Sequence, residues 1–312
     1  MLGNGGSSGA GFNRTSVGIR GLTTITPTTT NRTQKKKKTE DGGRIDRVDR
    51  DDESNAMLME FAEPEEDENE EGLAAPAGHN VTMVRFTDDA FRTDDKGRPL
   101  PPVFGDVDQG NLGDAWLLAS CAAVAHARPT SLLKRITRNR NDTFTVRLGD
   151  DEYRVTPEFP NEGYADPMPN AQSDTLWVAL VEKAFAQASA ESYANLECGN
   201  AARALQALTG APARRQTITP TLPEASIFER IHEGQRASSP MVVRTHEARV
   251  AKPLNADHYY AVLDAYEKGG VRYARLYNPW GTKSNSRPLE DVIHEVTLET
   301  LQRDCDALYI GG

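Results

Sequence analysis

Two residues near the C-terminal end of the 312-residue chain have the types and spacing of an oriented base. His258 opens one β-type run and Asn278 closes the next, with Lys268-Gly269-Gly270 as the turn between them. Antiparallel pairing across that turn brings the two side chains opposite each other to within a few residues, on one face of the sheet. A carboxamide oxygen beside an imidazole can accept from one ring N–H. That fixes the tautomer and leaves the other nitrogen to act on a nucleophile. Taken alone, the pair reads more simply as two polar residues at a sheet edge.

A second constellation lies at a helix start. Gln109-Gly110-Asn111-Leu112-Gly113-Asp114-Ala115-Trp116-Leu117-Leu118-Ala119-Ser120 is a glycine-punctuated turn running into an apolar helix. A side chain at position 115 sits in the first helical turn, where free N–H groups and the macrodipole favour an anion. There a thiol would ionise readily. Gln109 offers a carboxamide N–H toward a developing oxyanion, beside the backbone N–H of residue 115. Every part needed for acyl transfer from a cysteine is present except the sulfur, because position 115 is alanine.

Helices and strands must hold these parts in place. Gly113 to Arg128 carries Leu117, Leu118, Cys121, Val124 and Ala125 on one apolar stripe and stops before Pro129. Thr143–Leu148 and Glu152–Thr156 read as a strand pair. A second helix is expected from about Asp174 to Ala190, with Asp174 as its N-cap, and a third at Ala201–Leu208, closed by Gly210. Val81–Phe86, Met241–Arg244, His258–Tyr266 and Val271–Tyr277 are β-type runs. Helices in front and strands behind predict an α+β fold of two sub-domains sharing one interface, where ligand clefts commonly form.

Composition bounds the alternatives. There are 36 basic and 46 acidic side chains, a net charge of −10, and 38% hydrophobic residues. This acidic balance argues against general nucleic-acid binding. No apolar run approaches the roughly 20 residues of a membrane span. The first residues lack the apolar core of a secretory signal, and three scattered cysteines (Cys121, Cys198, Cys305) make neither a disulfide framework nor a zinc cluster. A cytoplasmic or other intracellular setting is expected, with signal-less export left open. A mean hydropathy of −0.60 points to an unpacked portion. It falls at residues 1–79, which hold the lysine run Lys35–Lys38, the segment Met57–Phe61 and the acidic run Glu60–Glu71. Solvated tail is the plain reading of both charge runs. Nuclear import or an anionic surface for the lysines, and partner docking or self-cleavage around Met57–Phe61, are sharper ones.

The run Gln109–Ser120 resembles the nucleophile segment of the calpain family of papain-like cysteine proteases. Asp257-His258-Tyr259-Tyr260-Ala261-Val262 is similar to that family's histidine strand, and Tyr277-Asn278-Pro279-Trp280-Gly281 to its Asn-Pro-Trp-Gly signature. Leu176–Ala184 is similar to a helix of its first catalytic lobe. The resemblance covers about residues 80–312. It implies a disordered tail or pro-segment at 1–79, a mainly helical catalytic lobe at 80–215 with the nucleophile helix and oxyanion glutamine, and a β-rich lobe at 216–312 with the histidine and asparagine. It further implies that Gln109 is the oxyanion donor, His258 the general base, and Asn278 its orienting partner. Trp280 is then the shield over the His–Asn bond (or an ordinary core aromatic), and Ala115 stands at the nucleophile position. The implied activity is endopeptidase action through a Cys-His-Asn triad, on protein or peptide substrates that include the chain's own tail. The alanine makes this chain inactive. Glutamine, histidine and asparagine survive together, which favours an engineered cysteine-to-alanine change over a natural pseudoprotease. A papain-like acyltransferase would use the same triad.

No other residue replaces the sulfur. Cys121 and Ser120 are rotated away from position 115 along the helix, and Cys198 and Cys305 have no paired base. His79, His126, His232, His246 and His294 fit ordinary surface or core roles. No cofactor or metal is expected. Asp106-Val107-Asp108-Gln109-Gly110 fails as an EF-hand, its glycine one place early and Leu117 where a glutamate is needed. Thr282–Arg287 places Lys283 and Arg287 where calcium-binding relatives carry acids, and the chain's end at Gly312 leaves no room for further regulatory domains. Both features predict a calcium-independent core.

Overall fold

A computed structural model describes residues 83–110, 112–160, 175–189, 192–197, 199–282, 288 and 291–312. The tail, the expected helix start at Asp174, Cys198 and Lys283–Arg287 therefore lie outside the described residues.

Helix α1, Ala115–Ala127, is the centre of the molecule. The expected single stripe understates it: every residue from Ala115 to Ala125 is buried. A helix apolar all round belongs inside, and its many alanines let neighbours approach closely. Around it in chain order come β1 (Met83–Arg85), α2 (Pro129–Leu132), β2 (Ile136–Arg138), β3 (Phe144–Leu148), β4 (Asp151–Val155) and β5 (Glu158–Pro160). Helices α3 (Trp177–Ala188) and α4 (Ala201–Thr209) follow. The Asn200 side chain accepts from Ala202 N at 2.8 Å to start α4, and Gly210, at φ +74°, ends it. Strands β2–β4 form a small antiparallel sheet, and β1 pairs with β5. Strands are thus interleaved with the first helices, not confined to the rear of the chain.

The remaining elements are β6 (Arg214–Thr217), α5 (Glu224–Arg236), β7 (Met241–Thr245), β8 (Tyr259–Lys268), β9 (Val271–Tyr277), β10 (Ile293–Thr297), α6 (Leu298–Asp304) and β11 (Cys305–Ile310). They build a six-stranded antiparallel sheet in the order β10-β9-β8-β7-β11-β6. The alternation of strand side chains sorts its two faces. Val242, Ala261, Tyr277, Ala307 and Tyr309 join the core around α1. Val243, Tyr260, Val262, Leu276 and Leu308 instead meet Ile227 and Ile231 of α5 and Leu298 and Leu301 of α6. The sheet is therefore a shared wall between two cores. A fully buried leucine such as Leu117 contributes about 2 kcal/mol by leaving water.

The β8–β9 hairpin closes through Gly269 and Gly270, at φ +61° and +78°, the left-handed pair that a tight two-residue turn demands. An irregularity between Val262 and Asp264 shifts the register on the way to the site. Among the described residues no helix is long and apolar enough to cross a membrane.

Candidate active site

His258 sits just before β8 and Asn278 just after β9. With Ala261 opposite Tyr277, continuing the register puts Trp280, not Asn278, across from His258. His258 and Asn278 are thus diagonal, two places out of direct opposition. Its side chains still meet: His258 Nε2 and Asn278 Oδ1 are 2.9 Å apart, both residues buried. The Trp280 backbone N–H donates to the same Oδ1 at 3.1 Å. An atom that takes a backbone N–H is the carboxamide oxygen, so it also accepts from His258, and Nε2 carries the proton. Nδ1 is left as the basic nitrogen.

Aromatic rings enclose the imidazole. Trp280 tilts against it at 4.9 Å between ring centres, and Tyr260 meets it edge-on at 4.9 Å. Burial pushes the His258 pKa down to about 4, against the opposing pull of Asn278 and Asp257 and with a smaller push from His294. The ring is therefore neutral at ordinary pH. Its backbone is clamped as well. His258 N donates to Thr245 Oγ1 at 2.9 Å, and Thr245 N returns a bond to His258 O at 2.9 Å. Asp257 is held in the left-handed region at φ +48°, with its N–H on His246 O at 2.8 Å. Thr245 is a positioning residue that the sequence reading missed. A threonine closing a valine-rich strand was the only cue.

The turn after Asn278 rests on the segment that carries Gln109. Gln109 N donates to Pro279 O at 2.8 Å, and Tyr277 Oη donates to Val107 O at 2.7 Å. Gly281, at φ +64°, lies so close that a Cβ there would stand 2.7 Å from Asp108 Cγ. The Gln109 amide nitrogen lies over its own glycine turn, 2.7 Å from Leu112 O and 3.3 Å from Asp114 Oδ1. Asp114 precedes α1, and its carbonyl accepts from Leu117 N and Leu118 N.

Ala115 is the first residue of α1 and is 7% exposed. Its neighbour Trp116 donates from Nε1 to Leu196 O at 2.7 Å, and a Cβ on Gly199 would run into the Trp116 indole. Tyr259, next to His258, reaches the carbonyl of that same Gly199 with its hydroxyl at 3.3 Å. Two bridges, 109 to 279 and 259 to 199, thus tie the segments beside Ala115 to those beside His258 and Asn278. Of the other sequence candidates, His294 stands nearest the base, against Tyr260 at 5.8 Å between ring centres. Ser120 Oγ donates to Trp116 O. Cys121 and Cys305 are buried free thiols, both pushed up by burial. His126 bonds Leu263 O and His232 lies against Phe228. Among the described residues no group of three or more His, Cys, Asp or Glu is placed to hold a metal ion.

The family described as "Calpain family cysteine protease" matches residues 103–295. The chain is 26% identical over 215 residues to Calpain-10 of Rattus norvegicus, an alignment covering 59% of this chain and 32% of that protein. It is 28% identical over 198 residues to the Calpain-type cysteine protease ADL1 of Oryza sativa subsp. japonica, covering 57% and 9%. Against the Calpain-1 catalytic subunit of Rattus norvegicus it is 26% identical over 211 residues, covering 61% and 29%. The chain thus spans a third or less of the length of these curated relatives. The family match includes Gln109, Ala115, His258, Asn278 and Trp280 and takes in more than half of the sequence, so the chain belongs to the calpain family of cysteine proteases.

Proposed function

We propose that this chain is the catalytic core of a calpain-like endopeptidase, folded as two papain-like lobes either side of a cleft and silenced by alanine at its nucleophile position. The observation that carries the reading is the His258–Asn278 bond, with its oxygen fixed by the Trp280 N–H. With cysteine at position 115, the thiol proton passes to His258 Nδ1 and the sulfur attacks a peptide carbonyl carbon. The oxyanion accepts from the N–H of residue 115 and from Gln109 Nε2. In this scheme one Gln109 N–H is shared between Leu112 O and Asp114 Oδ1 and anchors the amide to its turn, which leaves the other as the oxyanion donor. The imidazolium then protonates the leaving amine as the C–N bond breaks, and water hydrolyses the thioester. Trp280 keeps solvent from the His–Asn bond. No metal or cofactor enters this scheme. Substrates are polypeptides in extended form, the chain's own residues 1–79 among them, in an intracellular setting.

Restoring the sulfur is the test. Ala115→Cys should be labelled at residue 115 by an epoxide thiol probe and should shorten the purified chain by several kilodaltons. A restored chain that takes no label and stays full length overturns the protease reading and leaves a pseudoprotease that binds without cutting. A product joined to an added amine in place of water, seen by mass, would mark an acyltransferase.

A further inference from the structure

Glu182 lies in the middle of α3, buried to 1% exposure, on a helix that carries none of the residues assigned to the reaction. Asp114, at 0% exposure, is its partner: the two carboxyl groups hydrogen-bond each other. Asp114 Oδ2 is buried without a nitrogen or hydroxyl donor, and two carboxyl groups face each other stably only across a proton. The other oxygen of Asp114, Oδ1, lies against Gln109 Nε2. The backbone of Asp114 meanwhile caps α1 at the residue before position 115. One chain of contacts thus runs from α3 through two acids to the oxyanion glutamine and the start of the nucleophile helix.

We propose that Asp114 and Glu182 are positioning residues for the reaction, a proton-sharing carboxyl pair that fixes the Gln109 amide at the oxyanion site. The inference rests on the protease reading above and extends it to a residue on α3. Asp114 at the head of α1 is the better seat for the negative charge, since the helix N-terminus favours an anion, so Glu182 supplies the proton. Loss of that proton puts two like charges side by side away from water. The pair then separates and Gln109 loses its anchor. Burial raises the Asp114 carboxyl to about 7, so the step near neutrality is ionisation of Asp114 itself, which makes Oδ1 the charged acceptor that holds Gln109 while Glu182 keeps its proton. Groups near the pair come from three segments. Gln109 comes from the turn. The Cys121 thiol from α1 feels both acids and stays protonated. Lys183, the neighbour of Glu182 on α3, is turned to Thr156 and the Glu158 carbonyl.

Two measurements test the assignment. In the chain as it stands, with alanine at 115, the side-chain amide resonances of Gln109 should move through one transition near neutral pH. Asp114→Asn, which cannot ionise, should abolish that transition, and Glu182→Ala, which removes the donor that favours the Asp114 anion, should move it upward. A Gln109 amide that ignores pH between about 5.5 and 8.5, or responds alike in both variants, overturns the proposal. In the Ala115→Cys background, Glu182→Ala and Asp114→Ala should lower kcat about 10- to 100-fold with KM within about threefold, the signature of a displaced catalytic group. Glu182→Gln should hold kcat within about threefold, since its amide keeps a donor on Asp114. A loss that appears in KM alone, or a Gln variant as poor as the Ala variant, also overturns it. If Ala115→Cys never turns over substrate, the protease reading fails and the resonance measurement alone decides whether the pair holds Gln109.

Discussion

Replacing His258 by glutamine should remove an acid sensitivity written into the fold. The imidazole is 5% exposed, and its pKa falls from 6.5 to about 4 because burial opposes the charged form. A folded-state value below the unfolded one means that the unfolded chain binds the proton first. The stability tied to a neutral ring is therefore complete above about pH 6.5 and drains away as pH falls toward 4. A fall of about 2.5 pH units at about 1.36 kcal/mol each bounds the contribution at about 3.4 kcal/mol. Between pH 8 and pH 5 the same relation gives a loss of about 2 kcal/mol. The Asp114 carboxyl has the opposite sign. Raised from 3.8 to about 7, it favours the folded state as the solution is acidified. Whole-protein stability thus mixes the two, and only a difference isolates the histidine. Urea unfolding of the parent and of His258→Gln at pH 8, 6.5 and 5 measures it. Glutamine does not titrate and keeps a donor for Asn278. The parent should lose about 2 kcal/mol more than the variant over that interval. A difference that stays constant to within about 0.5 kcal/mol would refute the neutral, buried imidazole.

Other perturbations probe the supports of the site. Gly281→Ala combines a left-handed backbone with a Cβ against Asp108 and the Val107 carbonyl, so it should cost about 2–4 kcal/mol in urea unfolding. An unchanged midpoint would mean that the 278–281 turn does not rest on residues 107–108. In the Ala115→Cys background, Asn278→Ala should lower kcat at least about 10-fold with KM little changed, because the ring loses the acceptor that fixes its tautomer. Steady-state kinetics on a peptide substrate would show it, and full activity would remove Asn278 from the proposed mechanism.

Much of this arrangement was legible in the residues. Two glycines between β-type runs fixed the β8–β9 turn, and the Gly-Asp-Ala-Trp start with Pro129 beyond fixed the extent of α1. Gly210 marked the end of α4 because only a residue at ease with positive φ closes a helix that way. Three things stayed hidden. The irregularity at Leu263 has no sequence signature; it shifts the pairing by one residue, so that Trp280 and not Gly281 comes opposite His258. Helix α5 offers Ile227 and Ile231 four residues apart in a mostly polar run, too thin a stripe to stand out. Strands β10 and β11 are short and separated by a single helix, and their pairing to β9 and β7 is a long-range matter that local pattern does not reveal. The site residues were readable because each belongs to a short motif. Thr245 belongs to none, and Glu182 lies in the run Leu176–Ala184, which carried no site residue.

The clamp on the imidazole has a practical corollary. Its backbone is tied to Thr245, its ring wedged between Trp280 and Tyr260, and its edge held by Asn278, and none of these supports involves the side chain at 115. Under the proposed function, the alanine form is therefore a ready-made decoy. It presents the shape of the working enzyme to a passing polypeptide and lets it leave whole, so material captured on immobilised protein would report the natural targets uncut.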